Sequence, residues 1–182
     1  MTSRSAPPRH WGTGPADERR RCLGDRFAPQ PVERWFRAVT VEAAPAVVFR
    51  WLCQLRVAPY SYDLLDNRGR RSPRSLTPGL ERLEIGQEFM SIFTLVDFRA
   101  DAHLVLKMTS NRALRLFGPF TVVYEVEPAG RDRTRLLVTL LVGDGTGPGP
   151  VAAARRRALA WGDLLMMRKQ LTTFKALAEE RR

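Results

Sequence analysis

The sequence predicts an α+β fold in which one curved antiparallel β-sheet is crossed by a long C-terminal α-helix, with two short helices after the first strand. Three observations carry that expectation. From Gln87 to Gly143 apolar residues recur with a period of two, the signature of strands with one buried face. After the breaker "GDGTGPGP" the period changes, and "VAAARRRALAWGDLLMMRKQLTTFKALAEERR" places apolar residues three and four apart, as a helix with one buried stripe requires. Ahead of the strands, a β-rich segment runs directly into a helix-start signal at Pro45.

Taken in order, residues 1–32 are rich in Pro, Gly and Arg and poor in apolar residues, so they are expected to form a partly irregular arm pinned by Trp11 or Phe27. Residues 33–182 are expected to form a single domain. "RWFRAVTVEA" alternates Trp35, Arg37, Val39 and Val41 against Phe36, Ala38, Thr40 and Glu42 and reads as a strand. "APAVVFRWLCQL" starts a helix at Pro45 and spaces Val48, Trp51, Leu52 and Leu55 along one face. "PYSYDLLDN" reads as a second short helix, and the following "NRGRRSPRSLTPGLERLEIG", with Gly69, Pro73, Pro78, Gly79 and Gly86, reads as a long loop.

Four strand candidates follow: "EFMSIFTLVDFRA", "AHLVLKMTS", "PFTVVYEVEP" and "RTRLLVTLLVG". In the third, Phe120, Val122, Tyr124 and Val126 share one face, with Thr121, Glu125 and Glu127 on the other. In the second, Ala102, Leu104, Leu106 and Met108 oppose His103 and Lys107. The final helix carries a stripe of Ala160, Leu164, Met167, Leu171, Phe174 and Ala178, widened by Trp161, Leu165 and Leu177. Gly162 within it costs about 1 kcal/mol relative to Ala, so either the helix bends there or something approaches its backbone closely.

A chain of 182 residues that is 44% hydrophobic and 27% charged is globular in composition, neither disordered nor fibrous. Thirty basic against 19 acidic residues give a net charge of +11. The arginines fall in separated runs, Arg19 to Arg21, Arg68 with Arg70, Arg71 and Arg74, and Arg155 to Arg157. They read as a solvated surface, with nonspecific attraction to nucleic acid or an anionic membrane as the alternative. Cys22 and Cys53 lack CxxC spacing, which indicates neither a disulfide framework nor a zinc site and suits a reduced, cytoplasmic protein. No leader-like apolar segment opens the chain, and no apolar run nears the roughly 20 residues that span a bilayer. HExxH, GxSxG, Walker and GxGxxG motifs are absent from the sequence; His10 lies in the arm and His103 on a polar strand face. No metal and no cofactor are expected.

This order of elements resembles the helix-grip fold of the START-like superfamily, which includes polyketide cyclases, lipid-transfer domains and plant pathogenesis-related proteins. "AVTVEAAPAVVFRWLCQL" is similar to the superfamily's opening strand and helix. "YSYDLLDN", the later Ser, "PGL" and "IGQE" resemble an uncharacterised bacterial branch described as polyketide cyclase/dehydrase-like, as do "HWGT" with "LGD" near the start and "MMRKQLTTFKALAE" near the end. The resemblance runs from about His10 to Glu179. Val122 stands where that branch leads one to expect a tryptophan, and Ala58 and Pro59 where bulkier or glycine-containing sequence is familiar, which implies a pocket of altered shape.

The resemblance implies a cavity between the concave sheet face and the last helix, lined by Phe93, Phe120, Tyr124, Trp161, Leu165, Met166 and Met167. Filling a solid core is the alternative role for each. Tyr60, Tyr62 and Asp63 are candidates for the cavity mouth, where Asp63 would act as a base; capping of helix ends and a half-buried edge are the alternatives. Asp97, with Arg99 on the same alternation, is a further candidate acid. The first functional expectation is noncovalent binding of a small hydrophobic or amphipathic molecule, lipid or polyketide-like, by a monomer or weak homodimer. The alternative is a polyketide cyclase, aromatase or dehydratase using Tyr and Asp as proton-transfer groups. Nonspecific nucleic-acid association through the arginines comes third.

Overall fold

The computed structural model describes residues 8–28, 30–31, 33–61, 71–143 and 150–180. β1 (His10–Trp11), α1 (Pro15–Glu18) and a 3-10 turn (Leu23–Arg26) precede β2 (Glu33–Val41) and α2 (Pro45–Cys53). β3 (Glu88–Phe89), β4 (Phe93–Arg99), β5 (His103–Met108), α3 (Asn111–Phe117), β6 (Phe120–Pro128), β7 (Thr134–Val142) and α4 (Pro150–Glu179) follow. The strands form one sheet in the order β1-β2-β7-β6-β5-β4-β3, antiparallel except for the parallel β1–β2 edge. Both edge strands are two residues long, which leaves little ladder for another chain to extend. This is the α+β helix-grip arrangement expected from the sequence, with α4 against β2 and α2.

Four local features differ from the sequence expectation. The strand expected over 88–100 is a hairpin: the chain reverses at Met90 and Ser91, both at positive φ, so that Phe89 pairs with Phe93. Residues 111–117 are helical, bounded by Ser110 and by Gly118 at φ 80°. The sheet is mixed, because the arm adds a parallel strand. Between Leu95 and Asp97 the β4–β5 register shifts at a bulge. The second short helix expected over 59–67 lies largely outside the described residues.

The main core fills the concave side. Trp35, Trp51, Leu52, Leu55, Phe89 and Leu106 are fully buried there, and the C-terminal half of α4 closes over them with Leu171, Phe174, Leu177 and Ala178. The opposite face carries a smaller cluster of Cys22, Val105, Val123 and Leu141, covered by Phe27 and Ala28. Gly24 lies against it so closely that a Cβ would stand 2.7 Å from Val123 Cγ2. Trp11 packs against the main core.

Residues 8–18 are tied to the sheet by polar contacts as well. Arg9 donates to Glu33 in a forked pair at 2.8 Å, and Arg135 reaches the Gly12 carbonyl and Asp17 at 2.6 and 2.9 Å. Gly12 sits at φ 71° with the Ala38 carbonyl 2.1 Å from where a Cβ would be. Gly12→Ala is therefore expected to lower stability by about 1–3 kcal/mol through strain and steric displacement of β1, read from urea unfolding midpoints and faster proteolysis near Arg9. An unchanged midpoint would contradict this packing.

Candidate functional site

The N-terminal half of α4 closes on the body of the protein only in part, through residues such as Ala160 and Leu159. Between it and the sheet is a cavity of about 920 Å³. Phe93, Met108, Phe120, Val122, Tyr124 and Leu140 form its sheet side, and Ala158, Leu159, Gly162, Asp163, Met166, Met167 and Gln170 its helix side. The β3–β4 hairpin contributes Met90, Ser91 and Ile92, α3 contributes Phe117, and the segment after α2 contributes Val57, Pro59 and Ser61. A Cβ on Gly162 would meet nothing within 4 Å, so the glycine borders open space where a close backbone approach was one expectation.

Two polar links cross from sheet to helix inside this apolar shell. Arg37 points inward from β2 with no exposed side-chain area and donates from Nη2 to Asp163 Oδ2 at 2.8 Å. Its Nη1 donates to the carbonyls of Arg9 at 2.7 Å and Phe36 at 3.0 Å, so residue 9 of the arm helps satisfy a charge at the cavity wall. In the second link, Tyr124 Oη donates to Gln170 Oε1 at 2.8 Å, and Gln170 Nε2 donates to the Pro59 carbonyl at 2.6 Å.

Burial sets the protonation behaviour of these groups. Desolvation raises the Asp163 carboxyl to about 6 even though Arg37 opposes the shift, and desolvation lowers Arg37 although Asp163 pulls it back. Burial also lifts Tyr124 above the usual phenol range, with the charge on Asp163 adding to the effect. The site thus holds a carboxyl whose hold on its proton is raised by burial and a phenol that stays protonated. By contrast, burial pushes the thiols of Cys22 to about 11 and Cys53 to about 12, so neither is a nucleophile at neutral pH.

Of the residues singled out in the sequence, the structure brings Phe93, Phe120, Tyr124, Met166 and Met167 to the cavity. Trp161 and Leu165 lie outside its lining, 44% and 55% exposed, because the stripe that widens the core on α4 turns away from the sheet there. Tyr60 is a core residue, its ring 5.2 Å from Phe174 and 6.1 Å from Trp51. Tyr62 and Asp63 lie outside the described residues. Asp97 does not face the cavity: the bulge after Leu95 inserts one residue and reverses the alternation, so Asp97 meets His103 at 3.1 Å and pairs with Arg26 on the other side of the sheet. Asp163, Arg37 and Gln170 were not singled out. Their signal was present: Arg37 shares the parity of Trp35 and Val41, and Asp163 interrupts an otherwise apolar stretch of the long helix.

The architecture is shared with solved structures. Norcoclaurine synthase from Thalictrum flavum, in complex with dopamine and hydroxybenzaldehyde, superposes with a TM-score of 0.51 at 14% identity over 89% of this chain and 94% of its own. The Zhui aromatase/cyclase from a Streptomyces species gives 0.50 at 16% identity over 82% and 94%. A protein from Arthrobacter aurescens gives 0.51 at 12% identity over 81% and 86%. No protein-family model and no curated protein matches the sequence. At these identities the likeness establishes the fold alone: the chain has the helix-grip fold. No described helix is long and apolar enough to cross a membrane.

The raised carboxyl has a signed consequence. Because Asp163 holds its proton more tightly folded, at about 6 against 3.8 ordinarily, its contribution to stability is full at low pH and is lost as pH rises through 6. Asp163→Asn is expected to remove that component, giving a flatter dependence of the urea midpoint between about pH 4 and 7 than the wild type shows. Parallel profiles for the two proteins would contradict the assignment.

Proposed function

We propose that the protein binds a small hydrophobic or amphipathic molecule, lipid or polyketide-like, in the cavity between the sheet and α4, without covalent chemistry, as a cytoplasmic single-domain protein with an N-terminal arm. The observation that carries this reading is the roughly 920 Å³ space, which is of ligand size and largely apolar with a few placed polar groups. Phe93, Phe120, Val122, Met108 and Met167 supply the apolar contact, and Tyr124, Asp163 and Gln170 the polar recognition. Four methionines in the lining, Met90, Met108, Met166 and Met167, favour ligands of variable shape, because an unbranched thioether repacks at low cost.

A second reading is favoured by Asp163 specifically. A carboxyl near 6 beside a protonated phenol is suited to moving a proton on a carbonyl substrate, as a cyclase, aromatase or dehydratase acting on a polyketide-like chain requires. On this reading Asp163→Asn loses turnover by a larger factor than it loses binding; equal turnover by the two proteins counts against it.

Native mass spectrometry of freshly purified protein, with extraction and identification of released species, tests the primary reading. A reproducible bound species, or uptake of added lipophilic compounds, is expected. A clean apo mass with no shift on addition would count against binding. Gly162→Leu sharpens the test, since a side chain there enters the cavity while removing a helical glycine. Binding is expected to weaken by about tenfold or more while stability rises by about 0.5–1 kcal/mol. Undiminished binding by this variant would place the ligand elsewhere.

A further inference from the structure

The outer surface of α4 beside the cavity combines two properties that a purely soluble face does not need together. Arg157, Trp161, Leu165 and Lys169 succeed one another at four-residue intervals and form one ridge, all exposed. Its centre is apolar and its ends are cationic. No carboxylate among the described residues pairs with Arg157 or Lys169. The neighbouring Gly162 and Met166 line the cavity, so the ridge runs along the cavity's helix side.

The element bounding the other side repeats the pattern. On α3, Leu116 is 54% exposed beside the exposed Arg112 and Arg115, its neighbour Phe117 lines the cavity, and Arg155 of α4 donates to the Leu116 carbonyl. The helix itself carries charge of nearly one sign here. From Pro150 to Ala178, α4 contains a single acid, Asp163, which Arg37 already neutralises. A surface of this kind, with an indole and leucines among unpaired cations, matches the boundary between lipid headgroups and acyl chains, where aromatic and aliphatic side chains insert and cations meet anionic headgroups.

We propose that the Arg157–Trp161–Leu165–Lys169 ridge, together with Leu116 and its flanking arginines, docks the protein peripherally on an anionic bilayer with the cavity beside the headgroups. Apolar exposure argues against duplex nucleic acid as the partner, since a phosphate backbone gives no return for an exposed Trp161 and Leu165. The surface is defined by exposed residues alone and stands whether or not the cavity takes a ligand.

The test is co-sedimentation with phosphatidylcholine vesicles and with vesicles containing about 30% phosphatidylglycerol, at about 150 mM salt. Wild type is compared with Trp161→Ser/Leu165→Ser, and thermal melts of both are recorded. Binding to the anionic vesicles is expected, about tenfold or more weaker in the double variant, with little binding to phosphatidylcholine alone and an unchanged melt. Absence of binding to anionic vesicles would overturn the proposal. Equal binding by the two proteins, or duplex DNA displacing the vesicles from both alike, would show a charge-only surface and would overturn it too.

Discussion

The ion pair between Arg37 and Asp163 is the strut on which the site depends. Toward its C-terminal end α4 is held by direct apolar packing on Trp35, Trp51 and their neighbours. Further toward its N-terminus the apolar packing thins to Ala160 and Leu159, and beside them a long guanidinium side chain from the sheet meets a carboxylate on the helix at 2.8 Å. Removing one partner of such a buried pair leaves an uncompensated charge at a cost of about 3–5 kcal/mol. The pair therefore bridges sheet and helix beside the cavity, and it does so with a carboxyl whose hold on its proton burial has raised.

The strut is not self-sufficient. A guanidinium with no solvent contact needs acceptors beyond one carboxylate, and the carbonyls of Arg9 and Phe36 provide them. Arg9 is held in turn by Glu33, which also accepts from the indole of Trp35. A segment that looks peripheral in the chain thus reaches the wall of the cavity through one backbone carbonyl. The tight passage of Gly12 against Ala38 keeps that segment in register. On the other link, the Gln170 amide serves two partners at once, fixing the Tyr124 hydroxyl and the chain at Pro59. Shape and polarity of the site are set by the same few side chains.

How much of this was legible in the sequence follows from what local pattern can and cannot encode. Period-two alternation in β5 and β6 and the stripe on α4 gave the layers and their facing sides, because those patterns record burial directly. The bulge after Leu95 left no such trace: one inserted residue reversed the alternation, and Asp97 moved from the concave to the convex side. Val105 and Val123 sit on the face expected to be wet, where their burial depends on the 22–28 segment folding over them, a long-range event. Tyr60 was expected at the cavity mouth; its ring is enclosed by Trp51 and Phe174, which come from helices far apart in the chain, so no local pattern records that burial. Arg37 and Asp163 each broke an apolar pattern, and pairing those two exceptions would have pointed to the site; only the fold shows that they meet.

The central claim is that an amphipathic molecule enters between the sheet and α4. The chain contains five methionines, and four of them line the cavity, Met90 and Met108 from the sheet side and Met166 and Met167 from the helix. Methyl-labelled methionine NMR with a spin-labelled fatty acid reads that space directly. Broadening of Met108 and Met167 together, the two buried ones, from the sheet side and the helix side of the cavity, is the expected result. Sharp resonances for all four cavity methionines at saturating ligand would contradict the account.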